Sequence, residues 1–350
     1  MVSVIIPNYN HSIFLTQRIE SVLNQSYTNF ELIILDDKSS DNSREIIERY
    51  KDNEHVSHII FNEQNSGSTF KQWDLGFSLA KGEYIWIAES DDYAEPTLLQ
   101  RCVEQLDANP ETSICYCDSN IVDSNGEPIA DSWLLPLIEA TDESCKIKYS
   151  GEEFIREKLL QNNYIYNASM ALFRKEAIYS LDNKYKEFKC CGDWLFWIFI
   201  AQQGSVIRVP ERLNNFRQHP NKVSIGKNQL TSISESIFIK SVTALNLCKD
   251  YNRAAILKES LNPQTFLYDE GINTFIDVFM HSKTSRRFKL FMMLCLYRHK
   301  RRSFYSDEDY LKYKTTVKNT IADKVKMVSV MCFLMKNSKT LHRYMQSKLY

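Results

Sequence analysis

Tyr84-Ile85-Trp86-Ile87-Ala88-Glu89-Ser90-Asp91-Asp92 runs from five apolar residues straight into three carboxylates. The apolar half reads as a buried strand, so the acids sit where that strand ends. Burying an unpaired carboxylate costs several kcal/mol. Acids clustered at a strand end therefore point to a bound cation with oxygen ligands, most simply Mg²⁺ or Mn²⁺. For the tetrapeptide alone, a solvated acidic turn is the other reading.

Upstream, strands and helices alternate. Val2-Ser3-Val4-Ile5-Ile6 predicts a strand stopped by Pro7, and Leu15, Ile19, Val22 and Leu23 follow helical spacing. Leu32-Ile33-Ile34-Leu35 predicts a second strand, and Asn42 with Glu45 fits a capping box for a helix through Tyr50. Val56 to Phe61 predicts a third strand. Phe70, Trp73, Phe77 and Ala80 form a helical stripe closed by Gly82. Pro96 suits the first turn of the helix after the acidic tetrapeptide.

Near-continuous apolar strands alternating with helices predict a parallel sheet covered on both faces. Such sheets bind ligands beyond the carboxyl ends of their strands. Three polar clusters fall at such ends: Pro7-Asn8-Tyr9-Asn10, Asp36-Asp37-Lys38-Ser39-Ser40-Asp41, and Glu89 to Asp92. Their shared position predicts a single rim.

Beyond residue 111 the pattern is mixed. Ile114 to Cys117 and Met170 to Phe173 read as extended, Glu152 to Gln161 as helical. Trp194 to Gln203 reads as an apolar helix beginning just after Asp193, and Ser205 to Val209 as a strand ending at Pro210. From about Gln229 helical signals dominate, placing a soft boundary near residue 226.

The chain has 350 residues, 43% of them hydrophobic, enough for a large core and about two domains. Nine cysteines without paired zinc spacing read as reduced thiols of a cytosolic protein. The N-terminus lacks the basic and long apolar parts of a signal peptide, and no window approaches the roughly 18 apolar residues of a membrane span. From His281 to Tyr350 there are 17 Lys+Arg against 4 Asp+Glu, a net of +13, so the rest carries −14 toward the total of −1. An acidic body with a basic tail points to an anionic surface, or to a solvated basic face. Arg286 to Leu294 and Arg298 to Arg302 put basic residues beside short apolar stretches, and Val325 to Met335 is apolar between lysines. Such segments suit an interfacial helix on anionic lipid or a bundle covering the main domain. No zinc or helix-turn-helix signature accompanies them, which argues against nucleic acid.

Taken in order, Val4-Ile5-Ile6-Pro7-Asn8-Tyr9-Asn10, Glu31 to Asp41 and Lys81 to Asp92 resemble the family 2 glycosyltransferases over roughly residues 1–225. The resemblance implies an α/β GT-A fold, a Rossmann-like, mostly parallel sheet with helices on both faces. Residues 1–111 would be its nucleotide-binding half and 112–225 its acceptor-side half. A mainly helical, basic region over 226–350 matches nothing named. Also implied are a nucleotide-sugar donor, usually a UDP-sugar, a divalent metal on a D-x-D-type motif, and inverting transfer with a carboxylate base.

Carried onto this chain, the resemblance gives the following roles. Pro7, Tyr9 and Asn10 pack around the nucleoside. Asp36 or Asp37 accepts the uracil N3–H, although both also fit a helix cap, and Asp41 is a turn or capping residue. Glu89 stands where the motif has Asp, so its contact with ribose or metal is open. Ser90 lies with the donor, and Asp91 is the metal ligand. Asp92 orients the acceptor or lies behind the site. Lys71 is a basic residue near the donor or a solvated helix lysine. Asp193 is the base that takes the acceptor's proton, or an N-cap, with Gly192 in place of the family's acid. Trp194 and Trp197 fit a sugar platform or plain packing. His219 is a third ligand, and Arg217 contacts phosphate or braces its loop.

The implied activity is metal-dependent transfer of a sugar from a nucleotide-sugar to a hydroxyl acceptor. A saccharide or lipid-linked saccharide would accept it in surface polysaccharide or glycolipid assembly. The expected location is cytoplasmic, with peripheral attachment to the inner membrane face. A sugar-nucleotide pyrophosphorylase would want a Gly-rich basic loop after the first strand, and Pro7 to Asn10 is not one. A non-catalytic donor-binding module is the other rival; the retained Asp91, Asp193 and His219 argue against it.

Overall fold

The β-branched and leucine runs form the strands foreseen, and the helices between them carry apolar stripes. A computed structural model of the chain describes residues 1–129, 147–181 and 183–220, with Ser232, Glu235, Ser236, Ile239, Lys240 and Thr243. All belong to one unit, Met1–Leu247. The basic region expected over 226–350 otherwise lies outside the described residues.

The order is β1 (Val2–Asn8), α1 (Ser12–Leu23), β2 (Phe30–Asp36), α2 (Ser43–Glu48), β3 (Val56–Phe61), α3 (Thr69–Leu79) and β4 (Tyr84–Ile87). Then come β5 (Tyr93–Ala94), α4 (Leu98–Ala108), β6 (Thr112–Val122), β7 (Lys148–Tyr149) and α5 (Gly151–Phe154), which continues as a π turn over Ile155–Leu159. A 3₁₀ turn, Ala168–Met170, leads into β8 (Ala171–Arg174), followed by α6 (Gly192–Ala201) and β9 (Ser205–Arg217).

Among the described residues nine strands form one sheet, in the order β3-β2-β1-β4-β8-β6-β9-β5, with β7 also on β9. The half from β3 to β4 is parallel, as expected. The other half is mixed: β8 runs antiparallel between β4 and β6, while β6 and β9 are parallel. Trp73 and Phe77 of α3 meet Phe196 and Trp197 of α6 and Phe173 of β8 with ring centroids 5.3–6.4 Å apart. That cluster pins α6 to the sheet.

Several local expectations are corrected. Pro7 does not stop β1, which runs to Asn8. The Ile5 carbonyl accepts from Ala88, so by strand alternation Pro7 turns its missing donor toward β4, which has already ended. Pro210 does not end β9 either. The register steps from Cys117↔Val209 to Asp118↔Arg212, and Pro210 sits in the bulge. The Asn42–Glu45 capping box does not form; Asp41 Oδ1 takes the Ser43 N–H instead, and α2 ends at Glu48. Pro96 precedes the Thr97 cap of α4 instead of opening the helix. Gly82 lies past the end of α3, where a Cβ would come within 2.5 Å of the Ser3 backbone nitrogen.

Candidate active site

The loops after β1 and β2 are laced together. Asn8 Nδ2 donates to Asp36 Oδ1 at 2.8 Å, and Ser39 gives the same carboxylate its N–H at 2.9 Å and its hydroxyl at 2.6 Å. Asn10 donates its N–H to Ser39 Oγ and accepts from the Ser40 N–H. Asn10 and Lys38 both adopt positive φ, 56° and 61°, a conformation that costs free energy and must be held by its surroundings. Asp41 Oδ2 takes the first N–H of α1 from Ser12, which confirms it as a cap. Tyr9 stands 49% exposed on this rim.

Asp37 is buried and organises the next loop. Its carboxylate accepts from Asn62 Nδ2, the Ser66 N–H and hydroxyl, and Gln72 Nε2, all between 2.8 and 3.1 Å. Lys71 is exposed and donates to the Ser66 carbonyl at 2.9 Å, so it closes the same loop from outside.

Behind the acidic tetrapeptide lies an arginine with no exposed surface. Arg18 donates Nε to the Glu89 carbonyl at 2.8 Å and Nη2 to Ser169 Oγ at 3.0 Å, and lies 3.9 Å from Asp92 Oδ2. Burial outweighs its acidic neighbours and brings its pKa down to about 10, so it stays charged at neutral pH. Asp92, 0% exposed, accepts from Asn167 Nδ2, Ser169 Oγ and the Arg217 N–H. It braces the site from within and cannot touch an acceptor. Arg217 is buried too. Its guanidinium donates to the carbonyls of Asp91, Asp123 and Ser124 and to Gln17 Oε1. Its described donors are thus engaged in tying β9 to the acidic loop.

That tie brings His219 to the tetrapeptide. His219 Nε2 and Asp91 Oδ2 are 2.9 Å apart. His11, which the sequence did not single out, completes the group: one ligand atom each from His11, Asp91 and His219 lie within 4.8 Å of one another. His11 Nδ1 pairs with Ser90 Oγ at 2.8 Å, and its ring meets that of His219 edge-on at 5.5 Å. Burial lowers its pKa against the pull of Asp91, which favours the neutral imidazole that a metal requires. Neighbouring ligands about 2.1–2.2 Å from an ion and at right angles lie about 3.0 Å apart. The His219–Asp91 spacing is compatible with this and equally with a hydrogen bond; it is the donor set, two imidazoles and one carboxylate, that suits a divalent cation.

Glu89 stands beside that group. The Trp73 indole donates to Glu89 Oε1 at 2.9 Å. Burial and then Asp91 push its carboxyl up to about 8.

Asp193 lies in the first turn of α6, not at its cap, which is Cys191. Its Oδ2 accepts from Asn163 Nδ2 at 2.8 Å. Burial drives its pKa up to about 7, against the bonds from Trp194 and Asn163. Gly192 is required sterically: a Cβ there would lie 2.4 Å from the Tyr185 carbonyl oxygen and 2.5 Å from the Phe70 ring. No acid could stand in its place. Trp194 and Trp197 are buried, the first donating to the Leu159 carbonyl. Both are packing residues, and the platform reading is corrected.

The sequence profile described as Glycosyl transferase family 2 matches residues 3–181. Glycosyltransferase GlyG of Streptococcus pneumoniae serotype 4 is 34% identical over 106 residues, 30% of this chain and 35% of GlyG. The hyaluronan synthase of Pasteurella multocida is 25% identical over 288 residues, 79% of this chain and 27% of the synthase. The chain thus spans about a third or less of the length of these two relatives. Among solved structures, S. aureus TarS 1–349 in complex with UDP-GlcNAc superposes with a TM-score of 0.59 at 20% identity, covering 79% of each chain. Mannosyltransferase PcManGT from Pyrobaculum calidifontis, in complex with GDP-Man and Mn²⁺, gives 0.55 at 15% identity, covering 93% of this chain and 86% of its own. At these identities the likeness carries the fold, which is GT-A.

Proposed function

Because the chain belongs to glycosyl transferase family 2, a family of transferases, we propose that it moves a sugar from a nucleotide-sugar, typically a UDP-sugar, to a hydroxyl acceptor with inversion. The observation that carries the donor reading is the meeting of His11, Asp91 and His219 at the carboxyl-end rim of a parallel half-sheet, where phosphates bind. Neighbours of the same fold in complex with UDP-GlcNAc and with GDP-Man support it.

In this reading Asp91, His219 and His11 hold Mg²⁺ or Mn²⁺. The ion, when bound, supplies positive charge to the diphosphate. Pro7, Tyr9 and Asn10 flank the nucleoside, Tyr9 through its exposed ring, and the Asp36–Asp37 pair provides the acceptor for the base N–H. Ser90 fixes the His11 ring, Glu89 lines the donor side, and Lys71 closes the loop over it. Arg217 positions Asp91 and His219. Asp193 takes the proton of the acceptor hydroxyl as its oxygen bonds to the anomeric carbon. The bond from that carbon to phosphate breaks, and the nucleoside diphosphate leaves with the electron pair. A carboxyl with a pKa about 7 suits this, since a general base works best near the operating pH.

A saccharide or lipid-linked saccharide is the proposed acceptor, in surface polysaccharide assembly, as the match to a hyaluronan synthase supports. Among the described residues no helix is long and apolar enough to cross a membrane. We place the protein in the cytoplasm, meeting anionic lipid through its basic tail. A panel of nucleotide-sugars incubated with Mn²⁺ and assayed for nucleotide release tests the proposal. One UDP-sugar is expected to be turned over, and EDTA to stop it. Release of inorganic pyrophosphate from a sugar phosphate and a nucleoside triphosphate would favour the pyrophosphorylase reading instead.

A further inference from the structure

The start of α6 is held by a residue from far downstream. Glu235 Oε1 accepts the Lys189 N–H at 2.8 Å, and its Oε2 accepts those of Cys190 and Cys191 at 2.8 and 2.9 Å. Three consecutive backbone donors thus converge on one carboxylate, directly ahead of the helix turn that carries Asp193. The last of these donors is at the Cys191 cap of α6, where a helix leaves its N–H groups without partners of its own and its dipole favours an anion. The surroundings of Glu235 are anchored as well. Ser232 meets the Cys191 thiol through its carbonyl at 3.4 Å, Ile239 is fully buried, and the Lys240 ammonium lies 5.4 Å from the Trp194 ring centre. Ser232, Glu235, Ile239 and Lys240 all lie beyond β9 and beyond the 3–181 span of the family profile.

We infer that Glu235 is a positioning residue for the transfer reaction: by holding the 189–191 backbone it sets where Asp193 stands and how acidic its surroundings are. The inference rests on Asp193 being the base. Asp193 shares its surroundings with Glu235, Cys190, Cys191 and the Asn163 amide, and Lys240 lies over the neighbouring Trp194. Of these, Glu235 is the carboxylate, and its effect on the Asp193 carboxyl is upward. Two burial effects act together here. Gly192 lets the backbone pass against Tyr185 and Phe70, and Glu235 then fixes the peptides just before it.

The test is steady-state kinetics of the full-length protein with Glu235→Ala, Glu235→Gln and, separately, Asp193→Asn. For Glu235→Ala, kcat is expected to fall 10- to 100-fold with the donor KM within twofold. The acid limb of the kcat profile is expected to move to lower pH, because removing the anion eases ionisation of Asp193. Added formate, which can occupy the vacated position, is expected to restore part of kcat. Should Glu235→Ala not fold, Glu235→Gln serves: its amide oxygen can hold two of the N–H groups without the charge, giving a smaller loss with the same pH displacement. An unchanged kcat and acid limb would overturn the inference. So would a loss shared between kcat and KM that formate does not reverse. An active Asp193→Asn would instead remove the base reading itself.

Discussion

Asp193→Asn is expected to make the protein more stable at neutral pH while it sharply lowers transfer. The folded state holds the Asp193 carboxyl at about 7, against 3.8 for an ordinary aspartate. Between those values the folded chain binds a proton that the unfolded chain has already lost. Stability therefore falls as pH rises from about 4 to about 7, and the penalty is fully present above 7. Each pKa unit is worth about 1.36 kcal/mol, which sets an upper bound of about 4 kcal/mol for the whole interval. Asparagine removes the titration and keeps an oxygen for the Asn163 amide. The gap between variant and parent is thus expected to widen by roughly 2–3 kcal/mol between pH 5 and pH 8. Urea denaturation of both proteins at the two pH values measures it. Transfer by the variant is expected to fall by about 10²–10⁴-fold, the usual worth of a general base, with UDP affinity retained. A stability gap that is flat with pH would refute the buried-carboxyl reasoning, and unimpaired turnover would refute the base assignment.

The parent's own kcat is expected to rise with pH through an inflection near 7, as Asp193 ionises; a rate independent of pH between 5 and 8 would argue against that. Asp37→Ala strands the donors of Asn62, Ser66 and Gln72, and is expected to cost about 3–5 kcal/mol and to weaken UDP binding, read by thermal melting with and without UDP. Gly192→Ala drives a methyl into the Tyr185 carbonyl and the Phe70 ring; a loss of at least about 1–3 kcal/mol and a lower kcat are expected. His11→Ala is expected to weaken Mn²⁺ binding at least about tenfold, measured by the paramagnetic resonance signal of free Mn²⁺. An unaltered affinity would take His11 out of the ligand set.

The parallel half of the sheet was readable because each of its strands is an apolar run with a helix behind it. The insertion of β8 was not readable, since Ala171 to Arg174 is as short and apolar as any buried segment and carries no sign of direction. The rim was legible from three polar clusters at strand ends, and Asp91 from its place in one of them. His219 could be named only through a family resemblance; its meeting with Asp91 depends on the bulged course of β9. His11 gave no ligand spacing, because its partners lie 80 or more residues away. Arg18 did leave a signal. It falls within the apolar stripe of Leu15, Ile19 and Val22, and an arginine on a buried helix face calls for acidic or carbonyl partners. Gly192 looked like a departure from the family's acidic residue, and only the packing of Tyr185 and Phe70 explains it.

The most direct measurement is a calorimetric titration of the protein with UDP in Mn²⁺ and in EDTA, on the parent and on Asp91→Asn. The parent is expected to bind UDP in Mn²⁺ and to lose most of that affinity in EDTA. The variant, equally folded by melting temperature, is expected to bind weakly in both. UDP bound as tightly in EDTA as in Mn²⁺, or as tightly by Asp91→Asn as by the parent, would contradict a nucleotide site built around a cation on His11, Asp91 and His219.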